Sequence, residues 1–202
     1  MPTTHPPEES SRRSKLSERR LRAIDAHIEL VLEGNIPPTI EQVAERSRVS
    51  VPTLFRYFEN LDKLRADSAR RAMELFSDSF RIPDIGVGPR DERIRRFAAS
   101  RVKLWERTHF LARLVRHNAL RDPGAAKLLA SSRKFMANQV KLHFKPELQK
   151  LKLAQGEDAV ALITSVTSVE SWDQFRHGFD RTAAETQRAW THAIGRILAE
   201  HR

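Results

Sequence analysis

The chain has 202 residues and no cysteine. That absence excludes a disulfide scaffold, a zinc ribbon and a thiol nucleophile. Glycine is scarce, at 7 residues. Neither GxGxxG nor GxxxxGK occurs, so no glycine-rich loop cradles a phosphate. No apolar run exceeds a few residues, far short of a membrane span. Met1 is followed by Pro-Thr-Thr-His-Pro-Pro-Glu-Glu, which lacks the apolar stretch of a signal peptide, and the expected location is cytoplasmic. GxSxG, HExxH and a paired-carboxylate signature are all missing, so no enzyme activity is expected. Asp173 and His177 lie one helical turn apart, but two ligands are too few for a metal site. His109 and His117 are about two turns apart, too far for one ion without further ligands. No metal and no cofactor are expected. Alternating apolar and polar residues never run long enough for a sheet, and no internal repeat is present. Aromatics make up 7% and charged residues 31% of the chain, a balance that suits helices.

The net charge is +10, which invites a nucleic-acid reading. Its distribution is uneven. Residues 1–81 hold 14 basic and 13 acidic residues, and residues 82–202 hold 22 and 13. The excess peaks over residues 90–152, with 17 basic and 5 acidic. Charge alone would therefore place a polyanion in the middle of the chain.

Residues 1–16 read as a disordered basic tail, since nothing after Met1 and before Leu16 is apolar enough to anchor them. Leu21, Ile24, Ile28 and Val31/Leu32 then recur at helical spacing over 17–33, with Gly34 as the stop and Pro37-Pro38 as an extended connector. Thr39 opens a second helix, and Gln42 three residues on completes a capping box. That helix is short, to about residue 47. Ser50 caps a third, 50–58, with Pro52 in its first turn. Asn60 caps a fourth, to about residue 80. The segment 83–89 is the clearest break, and further helices are expected at 90–107, 109–121, 123–144, 156–178 and 181–200.

Two short helices joined by a tight turn suggest a helix-turn-helix. Val49 plugs the turn, and Leu54 and Phe58 face inward. Val51, Pro52, Phe55 and Arg56 are left outward, with Tyr57 at the edge. An exposed Phe beside an Arg suits base edges, thymine methyls and phosphates better than plain solvent, although Phe55 and Tyr57 could also pack on the first helix. Residues 17–64 resemble the DNA-binding domain of the TetR family of transcriptional regulators. The specific part is Val49-Ser50-x-Pro52-Thr53-Leu54-Phe55-x-Tyr57-Phe58, within residues 39–64. The helical segments and breaks read along the chain give an all-α protein of about nine helices, a count that also fits the family. A three-helix helix-turn-helix domain, 17–64, precedes a larger helical effector-binding and dimerisation domain, 65–202.

The resemblance also implies roles. Thr39, Ser50, Thr53 and Tyr57 would donate to phosphates, and Val51, Pro52, Phe55 and Arg56 would approach the major groove. Two positions depart from the pattern: Arg48 stands where the turn usually has Gly, and Leu61 where a Lys is common. Lys63 is the nearest cation and is carried as a further DNA contact, though on another face of its helix. Arg12, Arg13, Lys15, Arg19, Arg20 and Arg22 are either a solvated tail or an arm toward phosphates.

TetR-like proteins bind double-stranded operator DNA as homodimers, with recognition helices about 34 Å apart. The resemblance places the dimer interface on the last two helices, where Trp190, Ala193/Ile194 and Ile197 form a stripe. The middle helices are then expected to hold a pocket for an unknown small-molecule effector. Candidates are Phe97, Arg101, Trp105, Phe110, Leu114, His117, Asn118, Phe135, Asn138, Thr164, Thr167, Ser168 and Trp172, against the plainer reading of these as core packing. No membrane partner is expected. The reading is a ligand-responsive repressor. An activator without an effector stays open, as does a helical small-molecule binder with a degenerate DNA-binding domain, which Arg48 and Leu61 would favour.

Overall fold

The computed structural model describes residues 7–199, with side chains from Leu16 onward. The described residues form ten α-helices and no strand: α1 (Pro7–Leu32), α2 (Ile40–Ser47), α3 (Val51–Phe58), α4 (Leu61–Leu75), α5 (Arg90–Ala119), α6 (Pro123–His143), α7 (Lys145–Leu148), α8 (Leu153–Val166), α9 (Val169–Asp173) and α10 (Ala183–Ile197). They fall into two compact units that divide after Leu75. The first unit therefore includes all of α4, where the sequence places the boundary at residue 64.

In the first unit, α1 begins at Pro7, within the segment expected to be a tail. Proline is tolerated at a first helical position because its missing N–H has no helical partner there. Residues 1–6 of that tail lie outside the described residues. From α1, Ala23, Ile24, His27, Ile28 and Val31 are buried, whereas Leu21 is exposed. Val43 of α2, Leu54 and Phe58 of α3 and Leu64 of α4 complete the core. Asn60 Oδ1 accepts from the Lys63 N–H at 2.9 Å and so caps α4. This helix ends at Leu75 rather than near residue 80, and Ser77–Phe80 form a 3-10 turn. Ser and Asp favour such turns because their side chains compete for backbone groups.

Two polar groups in this unit are unusual. Asp67 is buried and pairs with Arg20 of α1, with Lys63 at 3.8 Å and with Arg70 at 3.3 Å. His27 is buried with both ring nitrogens lacking a partner. Burial, helped by the nearby Arg65 charge, lowers its pKa to about 4.

In the second unit, α5 is a single helix of 30 residues, about 45 Å long at 1.5 Å per residue. The sequence pattern places a break at residue 108. None forms, because the Thr108 hydroxyl donates to the Leu104 carbonyl at 2.7 Å and His109 Nδ1 bonds the Trp105 carbonyl at 3.0 Å. Polar side chains that could compete with the helix are thus satisfied inside it. The expected helix over 156–178 is instead interrupted. Trp105 Nε1 donates to the Thr167 carbonyl at 2.8 Å, and Ser168 Oγ accepts from the Ser171 N–H at 3.2 Å to start α9. A π turn, Gln174–Gly178, follows.

The loop over 83–89 is tied down to this unit. His143 Nδ1 accepts from the Gly86 N–H at 3.1 Å, and His143 Nε2 donates to the Arg93 carbonyl at 2.9 Å. Gly86 has φ +78°, and an added Cβ would lie 3.2 Å from the Leu142 carbonyl oxygen. Trp172, Trp190, Phe97, Phe144, Leu104, Ile163 and Ile194 form the centre of the unit.

Candidate nucleic-acid interface

The interface is built from the α2–α3 pair. Thr39 Oγ1 accepts from the Gln42 N–H at 3.2 Å, and Gln42 Oε1 accepts from the Thr39 N–H at 2.8 Å, closing the capping box. Gln42 Nε2 also donates to Asn35 Oδ1 at 3.1 Å, which fixes the incoming connector. The helix ends with Arg48 in the left-handed region, φ 56° and ψ 39°. The Val49 N–H then reaches the Ala44 carbonyl at 3.1 Å, and the Arg48 N–H reaches the Glu45 carbonyl at 3.2 Å. These two bonds are a Schellman motif, with arginine where glycine is usual. The turn forms without glycine, at the strain an L-residue carries there, roughly 1–2 kcal/mol. Arg48→Gly is expected to stabilise the chain by about 0.5–1 kcal/mol, after the entropy glycine loses on folding. A urea midpoint that fails to rise would contradict this.

Val49 is buried in the turn. Ser50 takes the N-cap conformation of α3, but its hydroxyl does not cap the helix. It bonds the Thr53 hydroxyl at 2.9 Å instead. One hydroxyl of that pair donates within it, and the other keeps its proton for an outside acceptor. Inward, α3 commits Leu54 and Phe58 to the core. Outward it shows Pro52, Phe55 and Arg56, with Val51, Thr53 and Tyr57 half-buried. Phe55 is 45% exposed. The Arg56 guanidinium lies 5.8 Å from the Tyr57 ring centroid.

The near-neutral total charge of this region hides a local pattern. Several of its acids are occupied: Glu33 and Glu29 by Arg46, Asp67 by Arg20, and Asp25 and Glu74 by Arg71, while Glu41, Glu45 and Glu59 are exposed. No acid lies in α3 itself. Among the described residues, neither Arg48 nor Arg56 has an acidic partner. Lys63 sits beside Asp67. Arg20 is likewise turned inward, with its guanidinium 5.2 Å from the Phe58 ring centroid. Arg19 and Arg22 are exposed, and the side chains of Arg12, Arg13 and Lys15 lie outside the described residues.

The thirteen pocket candidates separate in the second unit. Phe97 is buried against Phe144, with ring centroids 5.2 Å apart. Arg101, Trp105, Leu114, Thr167 and Trp172 are buried, and Phe110, Asn118, Thr164 and Ser168 half-buried. The Thr164 and Thr167 hydroxyls bond back to the carbonyls of Val160 and Ile163 at 2.7 and 2.8 Å. Ser168 is used as a cap. His117, Phe135 and Asn138 face outward and do not converge with the rest. On α6 the inward positions are Met136, Gln139, Val140 and His143, which turns Phe135 and Asn138 to the opposite side.

The structure adds two polar residues to this region, Gln139 buried and His109 half-buried. Gln139 bonds Arg101, and its spacing with Met136 and His143 was the signal for it. His109 stacks on Trp172, with centroids 4.5 Å apart. The Trp172 indole N–H donates to Glu106 at 3.0 Å. Burial holds His109 and His143 below the ordinary histidine pKa, against the backbone bonds to Trp105 and Arg93.

No family model matches the sequence, and no curated protein matches it. Among solved structures, the chain is similar to a TetR-family transcriptional regulator from Streptomyces coelicolor. The TM-score is 0.69 at 19% identity, covering 90% of this chain and 80% of that chain. The chain has the TetR-like fold, all-helical with an N-terminal helix-turn-helix and a helical second unit. No described helix is long and apolar enough to cross a membrane.

Proposed function

We propose that this chain is a cytoplasmic, ligand-responsive transcriptional regulator. It acts as a repressor that binds a near-palindromic operator as a homodimer and is released by a small-molecule effector. The observation that carries the reading is α3: an inner face committed to the core, an outer face with exposed Phe55 beside Arg56, and no acid on the helix. A turn closed by two backbone hydrogen bonds presents it. That turn removes one reason to suspect a degenerate domain, since Arg48 is accommodated in it.

Each contact follows from chemistry. Val51, Pro52 and Phe55 meet thymine methyls, and Arg56 reaches guanine or phosphate. Thr39, Ser50, Thr53 and Tyr57 donate to phosphates, Ser50 and Thr53 together only by giving up their mutual hydrogen bond; these contacts fix register without reading sequence. Lys63 adds a phosphate contact only by leaving Asp67. The effector shifts the dimer between two head spacings by its differential affinity, typically 1–3 kcal/mol of coupling.

The experiment is selection of bound duplexes from a random pool, followed by binding to the winner across salt concentrations. A palindromic winner with a steep salt slope supports a dimeric sequence reader. No enrichment would overturn the proposal. On the selected duplex, Arg56→Ala is expected to cost about 1–3 kcal/mol, roughly fivefold to 150-fold in affinity, and to relax one position of the site. Tyr57→Phe should weaken all sequences alike and leave the salt slope nearly unchanged, because a neutral hydroxyl releases no counterion.

A further inference from the structure

We infer that the second unit binds an oxyanion, a carboxylate or phosphate on an apolar body, and that Arg101 is the residue that receives it. Naming this molecule as the effector rests on the regulator reading above; the binding site itself does not.

Two arginines of α5 are buried, and the protein treats them differently. Arg93 is paired with Glu147, with Nη1 3.0 Å from Oε2, and it also donates to the carbonyls of His143 and Gly88 at 2.6 and 3.0 Å. Arg101 is 2% exposed, and its hydrogen-bond partner is an amide: Nη2 donates to Gln139 Oε1 at 2.8 Å. Gln139 Nε2 in turn donates to the Phe80 carbonyl at 2.8 Å, which turns the amide oxygen toward the guanidinium. The remaining neighbour of note is the Phe97 ring, its centroid 4.8 Å from the guanidinium carbon. Among the described residues no carboxylate pairs with Arg101. Burial lowers its pKa to about 10, so it stays charged at neutral pH.

A buried cation without a counter-charge is costly, and proteins normally pair it. An amide and a ring face supply dipole and quadrupole but no charge. The guanidinium presents a planar fork of N–H donors that matches a carboxylate or phosphate, and Gln139 Oε1 accepts from one edge of it. Phe97 and Trp105 lie one turn to either side on α5, and Met136 and Val140 flank Gln139 on α6, all in the same apolar cluster. An anionic head on an apolar body satisfies both parts.

The test uses the full chain without DNA, so its failure is distinct from a failure of operator binding. Thermal unfolding is followed with sodium octanoate, inorganic phosphate, neutral octanamide, or sodium chloride at matched ionic strength. At about 10 mM, octanoate or phosphate is expected to raise the wild-type midpoint by about 4 °C over chloride. A rise with octanoate alone identifies a carboxylate on an apolar tail; a rise with phosphate as well shows that the oxyanion head suffices. Arg101→Met should lose the response. Gln139→Glu places a carboxylate on Arg101, so it should raise the midpoint without ligand and also lose the response. The proposal is overturned if neither anion exceeds chloride, if octanamide does as well as octanoate, or if the response survives in Gln139→Glu.

Discussion

Replacing Glu147 by alanine is expected to destabilise the second unit by about 3–5 kcal/mol, the range for removing one partner of a buried ion pair. Arg93 is held by a carboxylate on one side and by two carbonyls on the other. Without Glu147 the guanidinium remains enclosed with only neutral acceptors. The loss is far larger than for an exposed pair such as Arg181–Glu185, where about 0–1 kcal/mol is usual. The melting midpoint should fall by about 10 °C. The double variant Glu147→Ala with Arg93→Met should recover most of this, because an apolar side chain leaves no charge to compensate. Urea titrations of both variants decide the matter: a single-variant loss below about 1 kcal/mol, or no recovery in the double, contradicts the account.

Acidification should unfold the first unit through His27, at pH values where carboxylates are still ionised. Unfolded, this imidazole takes a proton near pH 6.5, whereas folded it does so only near pH 4. Between those values the unfolded chain binds more protons. Stability is therefore full above pH 6.5 and falls as the pH drops toward 4. The shift corresponds to about 3 kcal/mol at the acid end. His27→Leu removes the titrating group and two unsatisfied ring nitrogens. It should flatten the pH dependence and add about 1–2 kcal/mol at neutral pH. Urea midpoints measured from pH 7.5 to 4.5 that run parallel in wild type and variant would refute the assignment.

What could be read in advance was local. The Thr39–Gln42 box, the Asn60 cap and the inward Leu54 and Phe58 follow from residue type and spacing, and the structure contains them. The pieces that could not be read depend on distant partners. The helix expected over 156–178 stops at Thr167 because Trp105, 62 residues away, donates to its carbonyl. The gap expected between 107 and 109 closes because the Thr108 hydroxyl bonds the Leu104 carbonyl. Ser50 had the right type for a cap, but Thr53 offered its hydroxyl another partner. Arg20 lay in a basic stretch that suggested an arm, yet the buried Asp67 claims it. Regional charge counts missed the recognition face for a related reason: they cannot show which acids are already occupied. The pocket candidates mixed inward and outward residues because α6 carries apolar side chains on both faces.

The aromatic residues are distributed so that each unit carries its own optical reporter. The chain has three tryptophans and one tyrosine. Trp105, Trp172 and Trp190 all lie in the core of the second unit, and Tyr57 lies on α3 of the first. Emission excited at the red edge, where tyrosine does not absorb, therefore comes from the second unit alone. Trp105 sits one helical turn from Arg101, so an anion entering there should change that emission without any label. The tyrosine signal comes from the helix proposed to lie in the major groove. One unlabelled sample thus reports head and body at different wavelengths, and a spectrum that changes at one wavelength before the other gives the order in which the two units respond.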